Sequence, residues 1–151
     1  MKDTFDENAE RKAWMGLLAK APEGRVAALL DAAMTRPEFT WLRAPEIGTT
    51  MVRGRAGGTG APFNIGEMTV TRCALTLACG EVGHAYVQGR RKSDVEAAAL
   101  VDALMQGRNA SAVREAVLDP LGAEQSAAKN ARADKSAATK VEFFTMARGE
   151  D

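Results

Sequence analysis

Apolar residues recur at helical spacing between Asn8 and Met34. Trp14, Leu17, Leu18 and Ala21 stand at i, i+3, i+4 and i+7, the stripe one helix face needs for burial. Pro22 can sit in the first turn of a second helix, where a missing N–H costs nothing. There Val26, Leu29, Leu30, Ala33 and Met34 repeat the pattern until Pro37 stops it. The spacing predicts two short amphipathic helices in a hairpin.

After Phe39 the period shifts toward two. β-rich runs at Thr49–Arg55, Met68–Leu77 and Val82–Gln88 lie between glycines. In the second run Cys73, Leu75 and Leu77 point one way, and Arg72 and Thr76 the other. Ala78-Cys79-Gly80-Glu81 fits a hairpin connection, and short turns between neighbouring strands imply antiparallel pairing. Ser93-Asp94-Val95-Glu96 has the form of a capping box, with a helix running on to Gly107. Val113, Val117 and Leu118 suggest a further helix, ended by Asp119-Pro120. Gly122–Ala138 is Ala-rich and charged without a large apolar residue, so it is a solvated helix or one resting on something else. Lys140–Met146 reads as a last strand returning to the sheet. The fold class is α+β: a small antiparallel sheet with an N-terminal helical hairpin and C-terminal helices.

Length and charge narrow the options. A chain of 151 residues fits one domain, residues 1–151, which can bury roughly 70 % of its unfolded surface without disulfides or metal. Twenty basic residues balance twenty acidic ones, which argues against coating nucleic acid or anionic membrane. The acidic start and the lack of a long apolar run point to the cytoplasm. Cys73 and Cys79, six positions apart in what reads as one strand, would lie about 20 Å apart, beyond disulfide reach. A single histidine, His84, rules out a site with two His ligands, and no metal site or catalytic residue emerges.

The stretch most open to chemistry is Arg53–Glu67. Gly57, Gly58 and Gly60 can turn backbone N–H groups inward as an anion nest, flanked by Arg53 and Arg55. It matches neither a Walker A loop nor a dinucleotide fingerprint, and a wide sheet connection needing positive φ explains the glycines equally. Arg72 on its strand, and Arg90 where a strand feeds a helix, complete the candidate phosphate-binding set; a solvated turn accounts for the cations Arg90, Arg91 and Lys92 as well. His84 shares parity with Tyr86 and Gln88. Asp102 shares a helix face with Val95 and Ala99, where an acid needs an arginine or a partner. Phe143, Phe144 and Met146 suit a core or an interface.

Several stretches carry a resemblance. Leu42–Glu46, Met51–Gly60, Gly66–Arg72, Val87–Arg90, Asp102–Gln106, Asp119–Leu121 and Val141–Gly149 resemble, in collinear order, the PhnG family of the carbon–phosphorus lyase core complex. The resemblance implies a subunit working beside PhnH, PhnI and PhnJ homologues, with the ATPase-like PhnL also needed for the first step. That step joins methylphosphonate to C1 of the ATP ribose and releases adenine; PhnJ, a radical enzyme, later breaks the carbon–phosphorus bond. It implies an accessory role for this chain, with the nucleosidase-type chemistry on PhnI, no cofactor of its own, and ATP as substrate of the complex. Arg91 before Lys92, Asp94-Val95-Glu96 and Thr49-Thr50 depart from the family pattern, so no role carries over to the Arg90–Asp94 turn. In a second reading Arg53, Arg55, Arg72 or Arg90 of this chain contacts triphosphate or phosphonate. A third, an RNA-binding module, stands against neutral charge and only eight aromatics. An isolated copy could also form a homo-oligomer that hides partner surfaces.

Overall fold

The computed structural model describes residues 4–141, with side chains from Asn8 onward. The strand expected at Lys140–Met146, with Phe143, Phe144 and Met146, lies outside the described residues from Glu142 on. The N-terminal hairpin forms as the apolar spacing predicts, from α1 (Thr4–Ala19) and α2 (Arg25–Ala33). Leu18, Ala21, Val26 and Leu30 of its stripe are buried, and Trp14, Leu17 and Leu29 pack against that core. α2 starts later than Pro22 suggests. Gly24 takes φ 75° at its N-cap and donates its N–H to both oxygens of Asp94, at 3.0 and 3.1 Å.

Three antiparallel strands follow in spatial order β1 (Phe39–Arg55), β2 (Pro62–Leu77), β3 (Val82–Gln88). Cys73, Leu75 and Leu77 face the helices with Ala85 and Val87, so the α+β class and the predicted alternation are both realised. β1 and β2 run further than their residue preferences suggest. Pro62–Glu67, which the glycine density marks as loop, is strand, and the connection shrinks to Ala56–Ala61. Two strands paired along most of their length satisfy each other's backbone groups, and that outweighs weak local propensity.

α3 (Lys92–Leu104) runs through the middle of the core. Val95, Ala97–Ala99, Leu100, Val101, Ala103 and Leu104 are all buried. Its alanines let the sheet come close: a Cβ on Gly83 of β3 would lie 2.0 Å from the Ala99 carbonyl oxygen, so that position must be glycine. Its start is set by tertiary contacts, and the expected Ser93 cap is not made. Thr71 Oγ1, fully buried in β2, accepts the Arg91 N–H at 2.9 Å and donates to the Gly89 carbonyl at 2.7 Å. The helix therefore opens at Lys92 with Arg91 at its N-cap. Asp94 turns instead to Gly24, and Arg91 donates to the carbonyls of Gln88 and Ala21 at 2.8 and 2.9 Å. Arg91 and Asp94 at this turn are structural clamps.

β3 is a sheet edge whose outward backbone groups need partners. Asp102, fully buried on α3, accepts the His84 backbone N–H at 2.9 Å. The same carboxylate accepts Arg11 Nε at 3.1 Å and Nη2 at 2.7 Å, and Trp14 Nε1 at 2.9 Å. Arg11 Nη2 and Gln106 Nε2 both donate to the Val82 carbonyl, at 3.3 and 2.8 Å. One acid thus joins α1, α3 and β3, and it is paired to an arginine, one of the two roles its position allowed.

The C-terminal helix does not stop at Asp119-Pro120. α4 (Ala110–Val113) passes through a widened π turn at Arg114–Leu118 into α5 (Asp119–Ala138). The Asp119 N–H bonds to the Arg114 carbonyl, five residues back. The wider turn absorbs a proline ring that would strike an ordinary α-helical backbone. α5 is tied down near its start by Arg25–Glu124 and by Gln125 Nε2 on the Leu17 carbonyl at 2.8 Å. From Ser126 to Ala138 it stands in solvent. No described helix is long and apolar enough to cross a membrane.

Two outcomes test this core. Asp102→Ala strands a guanidinium, an indole N–H and an edge N–H, and denaturant titration should show a loss of roughly 3–5 kcal/mol; Asp102→Asn, keeping an acceptor, should lose less. A loss below ~1 kcal/mol for the alanine variant would remove Asp102 as the fastener. The thiols should also separate. Cys73 is 3 % exposed and donates to the Val95 carbonyl at 3.2 Å. Burial, aided by the Glu96 charge, pushes its thiol from the ordinary 9.0 up to about 12. Its stabilising contribution is complete below pH 9 and declines as pH rises toward 12, because the unfolded thiol ionises first. At pH 8 a thiol reagent should label exposed Cys79 rapidly and Cys73 only on unfolding, which mass spectrometry reads directly.

Candidate functional site

β3 pairs only with Val70–Thr76 of β2, whereas β1 and β2 stay paired out to Arg55 and Pro62. Beyond Gly48 and Val70 the sheet is therefore a two-stranded ribbon, projecting about 25 Å. Its register assigns faces. Ile47, Met51, Arg53 and Arg55 lie on the side that carries the helices in the body, and Val52, Phe63 and Met68 on the reverse. Ile65 sits where the register slips and lies over Gly54, at which a Cβ would come within 2.3 Å of its Cδ1. Ile47, Met51, Phe63 and Ile65 are 44, 53, 49 and 63 % exposed, so large apolar groups meet water on both faces.

The ribbon tip holds five of the seven candidate phosphate-binding residues. Gly57 and Gly58 take φ of 60° and 81° in a tight turn, which explains two of the glycines. Gly60 N–H closes on the Ala56 carbonyl at 2.8 Å, and a Cβ there would lie 2.6 Å from that oxygen. Arg55 Nη1 donates to the Gly60 carbonyl at 3.2 Å, while exposed Arg53 shares its face.

Arg72 and Arg90 lie elsewhere. Arg72 is about 30 Å down β2 from the tip. Its Nε donates to Glu46 at 2.6 Å beside Arg43, which donates to the same oxygen at 2.7 Å. Those bonds, from Arg43 first and then Arg72, hold the Glu46 carboxyl below the usual carboxylate range. Arg90 is exposed at the ribbon's root, next to Gly89, whose N–H meets the Thr69 carbonyl at 2.9 Å. The seven residues thus form one cluster at the tip and two separate positions near the root.

His84 and Tyr86 are exposed on the reverse of β3. Two open hollows flank Arg11, one running along α1 to Tyr86 and the other between Trp14 and Arg114. The Arg11 guanidinium they share is already bonded to Asp102. Among the described residues, no group of three or more His, Cys, Asp or Glu could hold a metal ion. The pattern of residues did not mark the ribbon as a projecting element. The one trace of it in the sequence is the apolar Met51, Phe63 and Ile65 flanking the glycine run.

Comparison with known proteins gives the lineage. The family model for phosphonate metabolism protein PhnG matches residues 9–149. A curated relative from Rhizobium meliloti (strain 1021), alpha-D-ribose 1-methylphosphonate 5-triphosphate synthase subunit PhnG, is 44 % identical over 143 residues. The match covers 95 % of this chain and 92 % of the relative. With the ordered stretches from Leu42 to Gly149 falling within that span, the chain belongs to the PhnG family of phosphonate-metabolism proteins.

Proposed function

We propose that this chain is an accessory subunit of a cytoplasmic α-D-ribose 1-methylphosphonate 5-triphosphate synthase, assembled with PhnH, PhnI and PhnJ homologues and working with PhnL. The observation that carries the reading is the 44 % identity, across nearly the whole of both chains, to a protein named as a subunit of that synthase. In the reaction a phosphonate oxygen bonds to C1 of the ATP ribose while the C1–N9 bond breaks, and adenine leaves with its nitrogen protonated. Such a site must neutralise a triphosphate, supply an acid to the departing base and exclude water. The buried acids Asp94 and Asp102 are occupied by backbone and arginine donors, and Arg11 and Arg91 by their own clamps. That commitment to holding the fold supports placing proton transfer on a neighbouring subunit. ATP is then a substrate of the assembly, and this chain needs no cofactor.

A second reading gives Arg53 and Arg55 contact with the triphosphate or phosphonate, and their clustering at an exposed tip favours it. Both are tested in the co-expressed, purified complex supplied with ATP and methylphosphonate, with adenine release followed by chromatography and product by phosphorus NMR. Omitting this chain should lower adenine release at least a hundredfold, and full turnover without it would refute the subunit role. Arg72→Ala and Arg90→Ala should leave kcat within about threefold of wild type in the intact complex. If Arg53→Ala with Arg55→Ala lowers kcat a hundredfold in a fully assembled complex, the tip belongs to the active site.

A further inference from the structure

We propose that the β1–β2 ribbon, Ile47–Thr69, is a docking arm that inserts into a cleft of another subunit of the synthase, a cleft with apolar walls and acidic groups at its closed end. The proposal rests on the subunit reading above and identifies the surface through which that role is exercised. An isolated two-stranded ribbon is marginal in water, and stable hairpins gain a further strand at an edge or pack a face on another element. Here β3 ends opposite Val70, and both faces beyond it are open. Met51 and Ile47 are exposed on one side, Phe63 and Ile65 on the other. A partner lying on one side would leave half of that apolar surface wet, whereas a cleft covers both. Both long edges beyond Thr69 also carry backbone N–H and C=O groups that a strand of the partner can pair.

Charge selects the occupant. Between Glu46 and Glu67 the sequence contains no acid, and Arg53 and Arg55 stand at the tip. The root is basic on balance: Arg43, Arg72, Arg90 and Lys92 outnumber Glu46 and Glu67, the two acids of β1 and β2, and Glu46 is already bonded to Arg43 and Arg72. Two copies of this chain crossing arms side by side would set arginine against arginine at the tips. Crossing head to root would set the tip against a root where the cations, Arg90 and Lys92 among them, outnumber the acids. A second copy is therefore a poor occupant, and a different subunit with acids at the end of an apolar cleft is a good one.

The test uses the co-expressed complex and the free chain in parallel. Met51→Glu and Ile65→Glu, one on each face and both outside the buried core, should each lower the amount of this chain recovered with the complex, and together at least tenfold. Circular dichroism and melting of the free variant should match wild type. Arg53→Glu with Arg55→Glu should weaken assembly at least tenfold at low salt, with the difference shrinking at high salt. Hydrogen exchange of the wild-type chain needs no variant: amides of Gly48–Arg55 and Phe63–Thr69 should slow at least tenfold on assembly. Unchanged assembly by both glutamate variants, together with unprotected ribbon amides, overturns the docking arm while leaving the subunit role intact. Protection that rises with concentration in the free chain overturns it in favour of a second copy. A wild-type chain that joins no complex refutes the subunit role itself, and the arm with it.

Discussion

A carboxylate with no access to water must find donors or be neutralised, and Asp102 finds four of them. The cost of burying an isolated charge runs to several kcal/mol, so the fold can accept Asp102 only with Arg11, Trp14 and the His84 N–H all in place. That requirement fixes the distance from α1 to α3 and sets both against β3. It also blunts the edge of β3, since the same cluster supplies a donor to the Val82 carbonyl. A second, smaller clamp does the same work at the other end of α3. There Thr71, Arg91 and Asp94 join the end of β3, the start of α3 and the start of α2. With both ends of α3 held, the alanines between them can approach the strands as closely as the backbone allows at Gly83.

Against this rigid centre the molecule extends two elements that it does not cover itself. One is the ribbon of β1 and β2, exposing apolar side chains on both faces. The other is the outer part of α5, thirteen residues from Ser126 to Ala138 whose only side-chain assets are alanines, charges and small polar groups. Neither element contributes to the buried core, so changes in them should leave the stability of the centre intact. A division of this kind, a self-sufficient core carrying uncovered projections, suits a protein that works by being held among others.

Local pattern made much of the centre readable. Trp14, Leu17, Leu18 and Ala21 lie on one helix face wherever that helix docks, and strict alternation at Cys73, Leu75 and Leu77 can serve only a half-buried strand. The collinear stretches from Leu42 to Gly149 likewise carried the lineage without any coordinates, because spacing is preserved in the chain itself. Local signals failed where a distant residue outbid them. The Ser93 cap lost to Thr71, which meets the Arg91 N–H from β2. Pro120 failed to end its helix because a π turn upstream, packed through Val117 and Leu118 into the core, opened room for the ring.

The sequence by itself determined the class of fold, the antiparallel pairing, the helical hairpin and the family, since each depends on periodicity, spacing or residue identity along the chain. Tertiary structure alone decided how far β3 reaches along β2, and therefore that residues 47–69 leave the body as a ribbon. It also decided that Arg53 and Arg55 gather at the tip while Arg72 and Arg90 stay near the root, and that Asp102 turns inward to Arg11. These are matters of which groups from distant segments meet, and a chain's local pattern constrains the face a residue occupies far more tightly than the partner it will find there.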